Sequence, residues 1–558
     1  MIPSTDAPPR DVPKGRPGHV VVVGAGPTGL MAANLLGVAG VRVTVLERHD
    51  STSDEAKAIS LDGESIRTLQ RAGLSETLTD VFLPGTGTHY YGRRGQLLFA
   101  ARGPRSPVHG HAFKNPFAQP DLERSLLRAL DRFPHVSVEF GTEVVAVQQS
   151  AEATTATLRT PCGAHAELGG DFLVGADGGR STVRKALGIR MKGRSFTERW
   201  LVVDTVADDH DERYGLHVGD PSRPTVIIPG RNGRCRYEFL LSEEETVDLS
   251  PRFELVAALL RGHRAISPEE VERSIVYSFH ALNAARWGEG RIFLVGDAAH
   301  MMPPFAGQGL NSGIRDVANL TWKLSDVLDG RAGLELLRTY EPERRPHAQA
   351  MINLSVRLGA IVMTRSRRRA GIRDYLVELV MRLPTGRRWL EEMRYAPRPR
   401  YDRGVVVGEH PLVGTLLPQP AVLVPDGRRV RLDDVLGSGY AILAVEFGAT
   451  PAPPAPLDDP LWRRLAPVWL RALLDERFPR AEPVFSIADL EGTLRRVLER
   501  CAGCYVVVRP DRFVAAVFDP SCTESTSAAL SRRLGLCGGD LECSQRAPRL
   551  AGALDAHG

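Results

Sequence analysis

The sequence is poor in cysteine, in aromatic residues and in net charge. It has 7 cysteines in 558 residues, too few and too scattered for a disulfide framework or a metal-ligand array. Aromatic residues make up 6%, too little for a stacking surface along a nucleic acid strand. The formal net charge is +4, from 71 basic and 67 acidic residues, so we expect no nucleic acid partner. We expect no metal either, because the sequence shows no metal-ligand spacing.

Long apolar runs are missing as well. No run reaches the roughly 18 residues of a membrane span, and the first residues show no apolar segment of the kind that directs secretion. We therefore expect no membrane association and a location in the reducing cytoplasm. Residues 1–17 are rich in proline and charge and lack periodicity, which predicts a disordered tail.

The rest of the composition is that of globular proteins, with 43% hydrophobic and 25% charged residues, and the length predicts several domains. Strand signals between helical patterns predict an α/β fold with a Rossmann-like domain formed by residues 18–85, 105–190 and 285–395. An inserted β-rich domain, residues 86–104 and 191–284, has the partial alternation of a sheet covered on one side. Residues 405–558 are predicted to form a third domain with a new βαβ-like pattern.

A glycine-rich turn follows the first predicted strand, His19–Val23. Gly24 allows a tight turn there, and Gly26 lets backbone N–H groups approach a pyrophosphate. Gly29 allows close helix packing, and Glu47, at the end of the second predicted strand, can accept hydrogen bonds from a ribose. The glycine spacing alone is also compatible with an ordinary turn. Together with the strand, the helix and the acidic residue it predicts a dinucleotide site, without distinguishing FAD from NAD.

Two further motifs follow later predicted strands. Asp177 opens the sequence DGGRSTVR, which is either a turn whose Ser181 caps the next helix or part of a binding site. Asp297 lies in GDAAH at another strand end, where a carboxylate suits a polyol hydroxyl. A glycine-rich turn then leads into a helix near Gly309, whose positive end favours negative charge. For His300 in this motif we favour a structural role.

The three motifs, in this order, resemble those of FAD-dependent aromatic hydroxylases, the single-component flavoprotein monooxygenases of the p-hydroxybenzoate hydroxylase fold. Within that family, the run Gly296 to Leu324, the Gln119–Pro120 pair and the stretch Arg387 to Tyr395 are most similar to 3-(3-hydroxyphenyl)propionate hydroxylases. The resemblance covers nearly all of residues 18–558.

The resemblance implies non-covalently bound FAD and a set of residues that hold it. The glycines of the first motif and the acidic residue after them would hold the ADP half, and a glutamine and an aspartate would lie along the ribityl chain. Lys57 stands where such proteins often have an arginine, and the turn before the last helix would face the flavin ring. The residues concerned are Gly24, Gly26, Gly29, Glu47, Lys57, Gln119, Asp177, Asp297, Gly307, Gly309, Leu310 and Asn311.

The resemblance also implies a reaction. NADH or NADPH reduces FAD, O2 adds at the flavin C4a to give a hydroperoxide, and one oxygen atom is transferred to a small phenol. The helix after Gly309 would stabilise negative charge on reduced flavin, and Pro303, Pro304 and Phe305 would supply one wall of a dry pocket. No catalytic side chain is assigned, because the cofactor carries the chemistry.

The third domain resembles the thioredoxin-like tail of the phenol hydroxylase branch. Cys501 and Cys504 precede a predicted strand, Tyr505–Val508, whereas a thioredoxin motif opens a helix. We therefore predict a packing or oligomerisation role, a homodimer being one form of it, rather than redox chemistry.

The substrate is implied only by the resemblance, as a 3-hydroxyphenylpropanoate-type phenol. Tailoring of a larger aromatic polyketide would use the same motifs, and a non-oxygenating FAD reductase or a flavin-binding module also stays open. A flavin halogenase is disfavoured, because the six tryptophans do not form a Trp-x-Trp-x-Ile-Pro element. The polar pocket groups proposed from the sequence are Tyr237, His280 and Asn283.

Overall fold

The computed structural model of the chain describes residues 18–536 except 55–56, 76–77, 84, 86, 105–107, 210–213, 247–250 and 476–483. The tail predicted for residues 1–17 lies outside the described residues. The strands are β1 (His19–Val23), β2 (Arg42–Leu46), β3 (Ser60–Asp62), β4 (Thr88–Tyr91), β5 (Leu97–Ala101), β6 (Lys114–Pro116), β7 (Val136–Glu139), β8 (Glu143–Gln149), β9 (Thr154–Arg159), β10 (His165–Gly170), β11 (Phe172–Gly175), β12 (Met191–Thr205), β13 (Gly215–Val218), β14 (Thr225–Pro229), β15 (Cys235–Leu240), β16 (Val271–Ala284), β17 (Gly288–Glu289), β18 (Ile292–Leu294), β19 (His300–Met301), β20 (Ala421–Leu423), β21 (Arg429–Arg431), β22 (Ala441–Glu446), β23 (Val468–Leu473), β24 (Ser486–Asp489), β25 (Tyr505–Val508) and β26 (Val514–Phe518).

The helices alternate with these strands in the first and third domains and follow one another between residues 309 and 391. That stretch opens with the helix that the sequence predicts near Gly309. The helices are α1 (Pro27–Val38), α2 (Gly63–Arg71), α3 (Gln119–Arg128), α4 (Thr182–Ala186), α5 (Phe253–Leu260), α6 (Gly309–Leu328), α7 (Tyr340–Val362), α8 (Arg367–Arg382), α9 (Pro384–Glu391), α10 (Leu432–Leu436), α11 (Pro460–Leu465), α12 (Thr493–Leu498) and α13 (Thr523–Arg533). Among the described helices, none is long and apolar enough to cross a membrane.

The first sheet has the strand order β17-β18-β11-β1-β2-β7. Strand β1 is buried along its length and lies parallel to both β2 and β11. The two strands predicted around the glycine-rich turn, His19–Val23 and the strand that ends before Glu47, lie in this sheet together with strands from two distant parts of the chain. The mixed α/β fold is therefore confirmed, while the residue limits assigned above to each domain stay a prediction.

The inserted sheet has the order β19-β16-β12-β15-β14-β13-β4-β5. One face packs Leu201, Tyr237 and Phe239 against α5. The prediction of a sheet covered on one side only is wrong, because β14 and β15 are buried along their whole lengths. The reason is that the opposite face of these strands lies against the first domain and forms part of the cavity described below.

The third sheet has the order β21-β20-β24-β23-β22-β25-β26. Buried ion pairs fasten it to the first domain, with Arg67 and Asp433 2.6 Å apart and Arg509 and Glu343 2.8 Å apart. Removing one partner of such a pair leaves an uncompensated buried charge, which costs about 3–5 kcal/mol. The thioredoxin-like assignment of this domain stays a prediction.

The cysteine pair of the third domain lies where the sequence predicts. Cys501 ends a short 3-10 helix and Cys504 directly precedes β25, so neither opens a helix. Burial raises the pKa of Cys501 to about 12. A thiol with so high a pKa is a poor nucleophile at neutral pH, which supports a packing role.

Candidate active site

A cavity of about 410 Å³ is lined by the first sheet, the inserted sheet and the start of α6. We call its two parts the cofactor arm and the substrate arm. Residues of the cofactor arm include Gly26, Glu47, Lys57, Gln119, Gly178, Asp297, Gly307, Gly309, Leu310 and Asn311. Residues of the substrate arm include Thr88, Tyr90, Lys114, His217, Val226, Ile228, Glu238, Met302, Pro304 and Phe305.

The turn between β1 and α1 shows three glycines with different roles. Gly24 has a φ of 105°, and a Cβ there would lie 2.6 Å from the carbonyl oxygen of Ala176. A Cβ on Gly29 would overlap the carbonyl oxygen of Gly24. A Cβ on Gly26 would meet no protein atom within 4 Å and would stand in the cavity. Gly24 and Gly29 therefore shape the turn, and Gly26 keeps the positive end of α1 open to a ligand.

Glu47 connects the end of β2 to this turn. Its Oε2 accepts a hydrogen bond from the backbone N–H of Ala25 at 2.8 Å, and its Oε1 accepts one from the N–H of His49 at 3.1 Å. A carboxylate can accept about four hydrogen bonds, so capacity remains for ribose hydroxyls on the side that lines the cavity.

Asp177 and Ser181 organise the second motif. Asp177 Oδ2 accepts a hydrogen bond from the N–H of Thr182 at 2.7 Å, and Ser181 caps α4 by accepting one from the N–H of Arg184 at 2.9 Å. The Arg184 guanidinium donates to the carbonyl oxygen of Ala298 at 3.0 Å, which joins this motif to the third one. Asp177 does not itself line the cavity, although the residues on either side of it do.

The third motif separates one ligand-facing residue from one structural residue. Asp297 is surrounded by protein but accessible from the cavity, and burial raises the pKa of its carboxyl, which His300 and Lys57 partly oppose. His300 is fully buried with its Nε2 2.6 Å from Asp316 Oδ2, and Asp316 also pairs with Arg344 at 3.1 Å. This network confirms the structural role of His300 and leaves Asp297 for a ligand.

The start of α6 presents backbone to the cavity. The helix begins at Gly309, and Gly307 just before it has a φ of 61°. A Cβ on either glycine would meet no protein atom within 4 Å. Asn311 anchors the turn, because its Oδ1 accepts from the N–H of Asp62 at 2.9 Å, and Arg315 pairs with the Asp62 carboxylate. The positive end of α6 is thereby held at the cavity wall.

Gln119 holds the loop that carries Lys57. Its Oε1 accepts from the backbone N–H groups of Lys57 at 3.1 Å and Ala58 at 2.7 Å, and its amide donates to Glu123 at 2.7 Å. Burial raises the pKa of Glu123 to about 7. Lys57 and Gln119 thus lie together in the cofactor arm, as the sequence predicts for residues of one site.

The substrate arm combines an apolar wall with buried polar groups. Pro304 and Phe305 line it, and the Phe305 ring packs edge-on against Trp200 and Phe279 with ring centroids 5.6 Å apart in both pairs. Of the three residues that the sequence suggests for this wall, Pro304 and Phe305 line the cavity and Pro303 does not. The wall is backed by an aromatic cluster rather than formed by prolines alone.

Lys114, His217 and Glu238 are the titratable groups of the substrate arm. Burial lowers the pKa of Lys114 to about 8, with Glu238 opposing it. Burial lowers the pKa of His217 to about 3, helped by the positive charge of Lys114, so its imidazole is neutral. Burial raises the pKa of Glu238. Sequence reasoning missed all three, since a charged residue in a strand carries no sign of which sheet face is buried.

The structure does not bring Tyr237, His280 or Asn283 to the cavity. Tyr237 lies on the opposite face of β15 from Glu238, and its hydroxyl donates to Asp208 at 3.0 Å. His280 Nδ1 lies 2.8 Å from Ser195 Oγ, and Asn283 donates to Gln349 at 3.0 Å. Because side chains alternate along a strand, a shift of one residue decides which face a side chain reaches.

The cofactor arm fits a flavin dinucleotide. Two helix N-termini point positive ends at one cavity, glycines leave their walls open, and the carboxylates of Glu47 and Asp297 lie where a ribose and a polyol chain need acceptors. This combination is that of a dinucleotide-binding enzyme, and it fits the FAD-binding aromatic hydroxylases that the sequence motifs resemble.

Comparisons with known proteins agree with this class. A family model described as FAD binding domain matches residues 18–355, and one described as HcaD C-terminal domain matches residues 414–533. The chain is 37% identical to 3-(3-hydroxy-phenyl)propionate/3-hydroxycinnamic acid hydroxylases from Burkholderia cenocepacia, over 91% of this chain and 95% of the relative, and from Mycobacterium avium, over 96% and 97%. The chain therefore belongs to the family described as FAD binding domain, together with these relatives, and is an FAD-dependent aromatic hydroxylase.

Solved structures show the same fold. Aklavinone-11 hydroxylase, solved with FAD and aklavinone, is 25% identical with a TM-score of 0.72 and covers 94% of this chain and 100% of that one. The anhydrotetracycline hydroxylase OxyS from Streptomyces rimosus is 27% identical with a TM-score of 0.72, over 93% and 99%.

Proposed function

We propose that the enzyme hydroxylates the ring of a 3-hydroxyphenylpropanoate or 3-hydroxycinnamate, using O2 and NADH or NADPH. The observation that carries this proposal is the 37% identity, along nearly the full length of both chains, to relatives named for those substrates. The two arms of the cavity supply the physical rationale, since one fits a dinucleotide and the other has an aromatic wall beside buried polar groups.

The residues of the chain divide the work in the proposed reaction. Bound FAD, held non-covalently, supplies the electron transfer and the activation of O2. The positive end of α6 stabilises negative charge next to it, and the apolar wall around Phe305 excludes water from the reacting atoms. The substrate needs a ring hydroxyl, because electron donation from it makes the ortho and para carbons nucleophilic.

Isotope labelling tests this function directly. The purified holoenzyme is incubated with 3-(3-hydroxyphenyl)propanoate, NADH or NADPH, and labelled O2, and the product is analysed by mass spectrometry. We expect a dihydroxylated product with one labelled oxygen atom. The matched control is 3-phenylpropanoate, which lacks the hydroxyl and should at most uncouple NADH oxidation to peroxide. Label found only in peroxide with both compounds would refute the proposal.

A second candidate is the hydroxylation of a larger aromatic polyketide. It is favoured by the solved neighbours, whose names include aklavinone and anhydrotetracycline hydroxylases. Their identities of 25% and 27% are lower than the 37% of the phenylpropanoate relatives, so we rank it second. A panel containing both substrate classes, compared by kcat/KM, separates the two.

We also propose a cytoplasmic location, where NADH and NADPH are supplied and thiols stay reduced. The partners proposed are the aromatic substrate, O2 and the nicotinamide. A homodimer stays a prediction, to be tested by the mass of the purified protein in solution.

A further inference from the structure

Lys114 places an ammonium group in the substrate arm. It lies on β6 directly opposite Asp62 in the β3–β6 pair, and Asp62 is anchored to the start of α6 by Asn311. The Lys114 ammonium donates one hydrogen bond, to Thr88 Oγ1 at 2.6 Å, and no other side-chain hydrogen bond of Lys114 is made to the described residues. An ammonium has three N–H donors, so two are left for a ligand in the cavity.

The surroundings hold this ammonium in place. A Cβ on Gly215 would lie 3.3 Å from Nζ, so the glycine leaves just enough room for it. His217 next to it on β13 is neutral. Glu238 faces Lys114 from β15 and affects its pKa. In the part of the chain that the structure describes, the two side chains do not form an ion pair. The Lys114 charge is therefore not consumed by a direct partner.

The neighbouring arginine does not duplicate this charge. Arg236, two residues from Glu238 on the same face of β15, is bound to both carboxylate oxygens of Asp204 at 2.6 and 2.9 Å. In this bidentate pair the charge of Arg236 is balanced by the Asp204 carboxylate. Among the described residues, Lys114 is thus the cation that lines the substrate arm and can bind an anion.

We propose that Lys114 binds the carboxylate on the side chain of the substrate, and so makes the enzyme selective for phenols that carry an acidic side chain. This inference rests on the proposed function and deepens it. A carboxylate enters a buried cavity at a large desolvation cost unless a charged donor meets it. Thr88 acts as a positioning residue, since its hydroxyl fixes the direction of the ammonium.

A consequence concerns Glu238. A bound substrate carboxylate and the Glu238 carboxylate would share one ammonium, so substrate binding favours the protonated form of Glu238. Glu238→Gln removes that competition and should tighten binding of the carboxylate substrate by about threefold.

The test compares 3-(3-hydroxyphenyl)propanoate with its primary amide, which keeps the ring and removes the charge. Binding to the oxidised holoenzyme is measured at neutral pH from the change in flavin absorbance. Lys114→Met should raise the Kd of the carboxylate by roughly 30-fold, about 2 kcal/mol at 1.4 kcal/mol per factor of ten, and change that of the amide by less than about threefold. Thr88→Val should show the same selectivity with a rise of roughly fivefold.

Lys192→Met is the matched control, because Lys192 is exposed on β12 and does not line the cavity. It should bind both compounds as the wild type does, and flavin content reports the folding of every variant. Lys114 as the residue that binds the substrate carboxylate is called the carboxylate anchor. Equal weakening of carboxylate and amide binding in Lys114→Met and Thr88→Val, or no weakening, would overturn the anchor.

Failure of the proposed function gives a different result. If labelled O2 shows no hydroxylation of the phenylpropanoate, that function fails, and the anchor is then judged by binding alone. A panel of larger phenolic carboxylates and their amides is used for this purpose. A wild-type preference for the carboxylates that Lys114→Met abolishes supports the anchor, and the absence of any such preference refutes it.

Discussion

The two arms of the cavity are built from different materials. The cofactor arm is made largely of backbone at turns and helix starts, around Gly26, Gly307 and Gly309. The substrate arm is made of side chains that project from strands far apart in the chain, such as Thr88, His217 and Glu238. We expect the backbone groups, together with Glu47 and Asp297, to bind the parts that every flavin dinucleotide shares, and the side chains from the strands to distinguish one substrate from another.

The arms also differ in their response to pH. The positive ends of α1 and α6 come from backbone dipoles that do not titrate. The substrate arm instead contains Lys114, with a pKa lowered to about 8, and Glu238, with a raised pKa. The cofactor arm also contains Glu123, whose pKa burial raises to about 7, and Asp297, whose pKa burial raises as well. A rise in pH therefore adds negative charge in the cofactor arm, whereas in the substrate arm it also removes the positive charge of Lys114.

The largest effect is expected for Gly26→Val. A Cβ there would stand in the cavity with no protein atom within 4 Å, so the chain should fold while FAD affinity falls by roughly 100-fold or more. Flavin titration of the apoprotein measures the affinity, and thermal unfolding of the apoprotein measures the fold. A variant that purifies with full flavin occupancy would contradict the role of this turn.

Gly29→Ala should act on the fold instead. Its Cβ would overlap the carbonyl oxygen of Gly24, and overpacking of a buried site costs about 1–3 kcal/mol or more. We expect a lower free energy of unfolding, measured by urea denaturation of the apoprotein. Unchanged stability with lost flavin binding would mean that Gly29, like Gly26, faces the ligand.

Asp297→Ala should weaken FAD binding without abolishing it. The change removes a carboxylate from the cavity wall, and a charge-assisted hydrogen bond contributes about 1.5–3 kcal/mol, so affinity should fall by roughly tenfold or more. The FAD affinity of Asp297→Asn, which keeps one acceptor oxygen, should lie between those of the wild type and Asp297→Ala. Equal affinity of Asp297→Ala and wild type would remove Asp297 from the cofactor arm.

The pH dependence of kcat/KM separates the arms. Lys114 is charged below its pKa of about 8 and neutral above it, so kcat/KM for the carboxylate substrate should fall as pH rises through that value. Glu238 and His217, which face Lys114, do not reverse this sign, because one only loses a proton and the other stays neutral. The amide analogue should show a flat profile over the same range, and a parallel fall for both compounds would contradict the assignment.

The smallest effect is expected for Tyr237→Phe. The hydroxyl of Tyr237 donates to Asp208 on the face of β15 away from the cavity, so its loss should cost about 1 kcal/mol of stability and leave KM unchanged. Chemical denaturation and steady-state kinetics measure the two quantities. If Tyr237→Phe raised KM while Glu238→Gln left it unchanged, Tyr237 rather than Glu238 would face the cavity, contrary to this assignment.

The cofactor arm could be predicted in outline because its parts are local. The turn at Gly24 to Gly29 and the acidic residue Glu47 belong to one βαβ unit, and the strand, glycine and helix signals lie within about 30 residues of one another. The predicted residues that line the cavity include Gln119 and Asp297, whereas Gly24, Gly29 and Asp177 act from behind it. Sequence spacing identified the turn but did not show which of its residues face the ligand.

The substrate arm could not be predicted in this way. Tyr237 and Glu238 are neighbours in sequence and lie on opposite faces of β15, and alternation alone does not say which face meets the first domain. Lys114 reaches Thr88 only because β6 pairs with β3 and β4 joins the inserted sheet.

The sequence by itself therefore determined the α/β fold, the dinucleotide turn, the strand ends that carry Asp177 and Asp297, and the resemblance to FAD-dependent aromatic hydroxylases. These follow from the local conformational demands of glycine, from hydrophobic periodicity and from short spacings. The tertiary structure alone decided the substrate arm, including the meeting of Lys114, His217 and Glu238. Those groups become neighbours only through pairing between strands distant in the chain, and their pKa values shift only because that pairing buries them.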